Sequence, residues 1–168
     1  HFKDNALNPQ NPVTRGTAQN PDIFFQAKEA SNPFYDNVPA IVEEYLGEIN
    51  KLTGRDYKLF NYYGDPEAEK VIIAIGSVCD TISETIDFLR AKGEKVGLVN
   101  VHLFRPFVPE KLLEAIPTTT KKIAVLDRTK EPGALGEPLY QDVCTAFFNS
   151  DRKATIVGGR YGLSSKDT

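Results

Sequence analysis

From Lys70 to Val157 the sequence alternates short apolar runs with amphipathic stretches, and this alternation limits the fold more than any other feature. Val71-Ile72-Ile73-Ala74-Ile75 has no polar interruption, as in a strand covered on both faces. Thr81 to Lys92 places Ile82, Ile86 and Leu89 at helical spacing and stops at Gly93. Lys95 to Val101 reads as the second buried strand. Pro109 opens a short helix carrying Leu112, Leu113 and Ile116. Ile123-Ala124-Val125-Leu126 is the third strand, Leu139 to Phe148 the third helix, and Thr155-Ile156-Val157 the fourth strand. Such a chain is predicted to form a three-layer α/β fold: a mostly parallel sheet, helices on both faces, right-handed crossovers. Tyr57 to Tyr63 has strand composition and can add an antiparallel edge.

Upstream the pattern differs. In residues 1–30, Asn5, Asn8, Pro9, Asn11, Pro12, Gly16, Asn20 and Pro21 break any period, which predicts an extended arm anchored only by Ile23-Phe24-Phe25. If the arm is ordered, those three residues are expected to pack against the domain or a neighbouring molecule. Asn32-Pro33 then opens a helix with Val38, Ile41, Val42, Tyr45, Leu46, Ile49 and Leu52 as one apolar stripe, ended by Gly54. The expected division is an arm at 1–30 and an α/β domain at 31–168. His1 and Thr168 read as cuts, and Ser164-Ser165-Lys166-Asp167-Thr168 as a helix-capping segment.

Charge and cysteine content exclude several functions. Twenty Lys+Arg against 23 Asp+Glu give a net charge of −3, too balanced to point to nucleic acid or an anionic membrane. No apolar run reaches the roughly 18 residues that span a bilayer. Cys79 and Cys144 make neither a disulfide framework nor a zinc site, and cannot supply the four thiolates of an iron–sulfur cluster. Cys79, near a helix start, has two readings: a thiol of lowered pKa, or a small core filler. Cys144 reads as core. His102, at a strand end, reads as a hydrogen-bonded structural group. Neither a dinucleotide fingerprint nor a nucleophile elbow follows the first strand, and no catalytic or metal-binding constellation is visible.

In open α/β sheets, functional groups gather beyond the C-terminal ends of parallel strands. Three of the four turns expected there carry an arginine: Arg105, Arg128 and Arg160. Ser77 and Lys130 fall in the same set of turns. Guanidinium forks beside a helix N-terminus suit an anion, but also suit docking to carboxylates of an adjoining domain. Local pairing with Asp80, Asp127 or Glu131 is a third reading.

Arg15-Gly16-Thr17-Ala18-Gln19-Asn20-Pro21-Asp22, Arg105-Pro106-Phe107, Leu126-Asp127-Arg128-Thr129-Lys130-Glu131-Pro132-Gly133 and Gly159-Arg160-Tyr161-Gly162-Leu163 occur in this order. Together they resemble pyruvate:ferredoxin (flavodoxin) oxidoreductase, from about Ala6 to Lys166. The resemblance implies a fragment: the end of a thiamine-binding domain, here the arm, then most of a second domain similar to the transketolase C-terminal domain. It implies a cytoplasmic, homodimeric parent enzyme of anaerobic metabolism that converts pyruvate and coenzyme A to acetyl-CoA and carbon dioxide. Thiamine diphosphate with magnesium would carry the carbanion chemistry, and [4Fe–4S] clusters would pass electrons to ferredoxin or flavodoxin. It assigns no catalytic, cofactor-binding or metal-binding residue to this chain. The expected role is therefore structural, through docking to other domains of the parent, with no activity of its own. A freestanding small-ligand or anion-binding module is the alternative.

Overall fold

A computed structural model describes residues 3, 4, 6, 8–10, 12 and 18–164. The chain divides into two compact units, His1–Asp36 and Asn37–Thr168.

In the first unit the expected extended arm is corrected by a helix, α1 (Pro21–Glu29). Asn20 at the N-cap, Pro21 in the first turn and Asp22 behind it are helix-start signals, which the surrounding Asn and Pro residues disguise as breakers. Ile23, Phe24 and Phe25 are exposed. The arm's motif residues Arg15, Gly16 and Thr17 lie outside the described residues, as do 165–168 of the capping segment.

α2 (Asn32–Thr53) starts at Asn32-Pro33 and is followed by Gly54 at φ +70°, both as expected. Its apolar residues do not form one stripe. Val38, Val42 and Leu46, four apart, are half-buried against the core, whereas Ile41, Tyr45, Ile49 and Leu52 are exposed. The remaining elements are β1 (Phe60–Gly64), β2 (Lys70–Ala74), α3 (Val78–Arg90), β3 (Val96–Val101), α4 (Pro109–Ala115), β4 (Lys122–Asp127), α5 (Pro138–Phe148) and β5 (Thr155–Arg160).

The five strands form one sheet in the order β1-β3-β2-β4-β5. β1 pairs antiparallel with β3 and every other pairing is parallel, which gives the expected α/β architecture with its antiparallel edge. The strands alternate between two cores. Val71, Ile73, Val99, Val101, Ile123 and Val125 face the side covered by α2, α4 and α5; Ala74, Val96 and Leu98 face α3. Helices thus lie on both faces. β5 runs three residues past Val157, so Arg160 ends a strand instead of occupying a turn.

Candidate functional site at the C-terminal edge of the sheet

Strand order fixes where a site can form. From β2 the chain crosses to β3 on one side, then returns past β2 to β4 on the other. The switch point lies between the ends of β2 and β4, where open α/β sheets usually leave a crevice. Here Tyr161 spans it. Its backbone N–H donates to Asp127 O at 3.1 Å, and its hydroxyl donates to Ile75 O at 2.9 Å, reaching across β4 to the end of β2. Burial raises the Tyr161 pKa, so the phenol stays a donor. Tyr161 carries no sequence signal of its own beyond its place in the run Gly159-Arg160-Tyr161-Gly162-Leu163.

Two carboxylates organise the neighbouring turn. Asp127, the last residue of β4, is buried, and its two oxygens accept the backbone N–H groups of Leu139 (3.0 Å) and Tyr140 (3.1 Å). It therefore satisfies the first turn of α5 from another element. Burial raises its pKa and outweighs the lowering effect of those hydrogen bonds. Glu137, also buried, accepts from Arg160 Nη1 at 2.8 Å, and that bond is the main cause of its lowered pKa.

The three arginines are all exposed at this edge, but they do not form one cluster. Arg160 sits on β5 opposite Asp127 and binds Glu137. Arg128 follows β4 and donates through Nε to Gly162 O at 3.0 Å. Arg105 lies beyond β3, three strand spacings from β5, and binds Asp142 on α5 at 2.5 Å. Of the local carboxylates expected to serve them, Asp80, Asp127 and Glu131 take none of these bonds; Glu137 and Asp142 do. Ser77 caps α3 without a side-chain hydrogen bond. Lys130 is exposed, with no side-chain partner among the described residues.

No nucleophile emerges. Cys79 is buried, and its thiol is pushed up to about 11 by burial and by Asp80, which settles its two readings in favour of core filler. Cys144 is half-buried at the side of α5, not in the core as expected. His102 is exposed, with Nδ1 2.8 Å from Lys58 O and its ring edge-on to Tyr57, a structural arrangement. Among the described residues no group of three or more His, Cys, Asp or Glu could hold a metal ion. Nor is any helix among them long and apolar enough to cross a membrane.

Residues 68–165 match the family model "Pyruvate:ferredoxin oxidoreductase core domain II". The chain is 61% identical over 166 residues to a pyruvate-flavodoxin oxidoreductase of Enterobacter agglomerans, a match covering 99% of this chain and 14% of the relative. It is 55% identical over 166 residues to the pyruvate:ferredoxin oxidoreductase of Moorella thermoacetica, with the same two coverages. A solved 2-oxoglutarate:ferredoxin oxidoreductase from Magnetococcus marinus aligns at 21% identity and a TM-score of 0.45, over 76% of this chain and 21% of that one. The chain thus spans 14% of the length of the curated relatives it matches.

Proposed function

This chain belongs to the pyruvate:ferredoxin oxidoreductase family, and from that premise we propose that it is a structural and docking block of a longer oxidoreductase. The longer protein is a cytoplasmic homodimer. It oxidatively decarboxylates pyruvate with coenzyme A, giving acetyl-CoA and carbon dioxide, and passes electrons to ferredoxin or flavodoxin. Thiamine diphosphate, magnesium and [4Fe–4S] clusters supply that chemistry from parts of the protein outside this chain. The observation that carries the reading is high identity along nearly the whole chain to relatives about sevenfold longer.

Within that assembly, the C-terminal edge faces other domains. A guanidinium has five N–H donors. Arg128 spends Nε on Gly162 O, and Arg160 spends Nη1 on Glu137, with no further protein acceptor for either side chain among the described residues. Those donors, and the exposed Lys130, suit carboxylates of an adjoining domain. Tyr161 spanning the switch-point crevice favours docking over a small-ligand site.

An assay with pyruvate, coenzyme A, thiamine diphosphate and a dye acceptor tests the division of labour. The longer protein should turn over and this chain alone should not; turnover by the chain alone overturns the reading. In the longer protein, Arg128→Ala should weaken domain assembly while leaving the stability of this chain nearly unchanged. The reverse pattern would make Arg128 an ordinary support of the fold.

A further inference from the structure

β1 lies at the edge of the sheet, and its ladder shows which of its backbone groups are spent. At one end His102 N–H donates to Leu59 O at 2.9 Å, and at the other Asp65 N–H donates to Val96 O at 3.0 Å. In an antiparallel pair, successive residues turn their backbone groups alternately toward and away from the partner strand. Leu59, Asn61, Tyr63 and Asp65 therefore face β3, and Phe60, Tyr62 and Gly64 face away from it. The outward N–H and C=O groups of Phe60 and Tyr62 have no hydrogen-bond partner among the described residues. An open groove of about 370 Å³ runs along this edge, between β1 and the helices α2 and α4. Its charges do not balance. Lys58 pairs with Asp56 at 3.0 Å, while Lys111 serves both Glu43 at 3.2 Å and Glu114 at 4.0 Å. Three carboxylates thus share two ammonium groups, and Glu114, its side chain 70% exposed, is held least.

We propose, on the reading of this chain as part of a longer protein, that an extended segment lying outside this chain adds to β1 as a further strand and sets a lysine or arginine against Glu114. The backbone specifies the form of this partner. Outward N–H and C=O groups at every second residue are matched by another strand about 4.8 Å away, whose own groups repeat at the same interval. A helix has spent its backbone groups internally and offers no such row. β1 also lacks the devices that guard an exposed edge: it has no proline and no charged residue, and its register with β3 is unbroken. The groove specifies the partner's charge. Phe60 and Tyr62 direct their side chains to the core under α2 and α4, so residues of an added strand opposite them project into the groove. A cation there meets the surplus carboxylate, whereas an anion meets like charge. A second copy of β1 would fill the groove poorly, because its sequence, Phe-Asn-Tyr-Tyr-Gly, has no cation and its Phe60 and Tyr62 are already packed in their own core.

Hydrogen exchange of this chain and of the longer protein tests the added strand. In this chain the Tyr62 amide should exchange roughly 100-fold faster than those of Asn61 and Tyr63, and in the longer protein it should slow by a similar factor. A Tyr62 amide that is equally fast in both overturns the proposal. Glu114→Cys carrying a maleimide-linked benzophenone identifies the occupant. In the longer protein, irradiation should capture a segment outside residues 1–168 that contains a lysine or arginine. Capture confined to this chain, or to a second copy of it, overturns the proposal. Glu114→Lys should speed exchange at Tyr62 about fivefold in the longer protein and leave it unchanged in this chain. An unchanged rate in the longer protein overturns the basic contact. Pyruvate turnover is measured on the same longer sample, so failure of the enzymatic reading and failure of the strand assignment are distinguishable.

Discussion

Arginine works in opposite ways at the two edges of the sheet. At the N-terminal edge, Arg152 is turned inward. Its Nη1 donates to Leu113 O (2.6 Å) and Ile116 O (2.8 Å), and its Nη2 to Pro117 O (2.6 Å). One side chain thus satisfies the carbonyls at the end of α4, and burial lowers its pKa. At the C-terminal edge, Arg105 and Arg160 face carboxylates and Arg128 a single carbonyl, and all three stay exposed. An arginine that spends three donors on the carbonyls ending a helix supports the fold. An arginine with donors to spare is available to something else.

Arg152→Ala should cost the most, about 2 kcal/mol, because three carbonyls lose a charged donor. Urea unfolding of the chain measures it, and a midpoint unchanged from the parent would erase the contrast between the edges. Asp127→Ala comes next at about 1 kcal/mol, the usual value of a lost helix-capping oxygen. Amide exchange at Leu139 and Tyr140 should accelerate in that variant. Arg128→Ala should change the unfolding midpoint of this chain least among the three, in line with its proposed outward role.

Acid titration sharpens the comparison within the C-terminal edge. Glu137 has a lowered pKa, so its contribution is present above the ordinary carboxylate value and is lost as pH falls through the lowered one. Asp127 is raised, so the part of stability linked to its protonation is present below the ordinary value and is lost as pH rises through the raised one, while its bonds to the Leu139 and Tyr140 N–H groups remain. Stability measured from pH 6 down to pH 3 should therefore fall less steeply for Glu137→Gln than for the parent chain. Identical slopes would detach Glu137 from Arg160. The smallest effect is expected at the N-terminal edge. Lys95→Ala removes an exposed pair with Glu67, 2.8 Å long, and should leave the midpoint within error.

The sheet was legible because its signals are redundant. The run at Val71, the Pro109 start and the Gly54 and Gly93 stops each agree with a neighbour, and tertiary packing only moved their boundaries by a few residues. Less redundant signals misled. Asn20-Pro21-Asp22 starts a helix, yet reads as a breaker because prolines and asparagines crowd around it. The stripe of α2 is wide enough to hide that only its Val38–Val42–Leu46 side meets the core. At the C-terminal edge the residue types were visible, but their partners were not. Glu137 and Asp142 lie 23 residues before Arg160 and 37 after Arg105, and only the fold brings such distant positions together. Arg152 gave no sequence signal, since backbone carbonyls have no letter in the sequence.

Tyr161 also sets how the chain carries load. β5 is an edge strand, and a pull on whatever follows it would ordinarily peel it from β4 one hydrogen bond at a time. The bond from Tyr161 Oη to Ile75 O, with that from its N–H to Asp127 O, fastens the exit of β5 to two more central strands. A pull on the end of β5 is then shared by β2 and β4, so the phenol works as a tie-bar from the edge strand to the middle of the sheet.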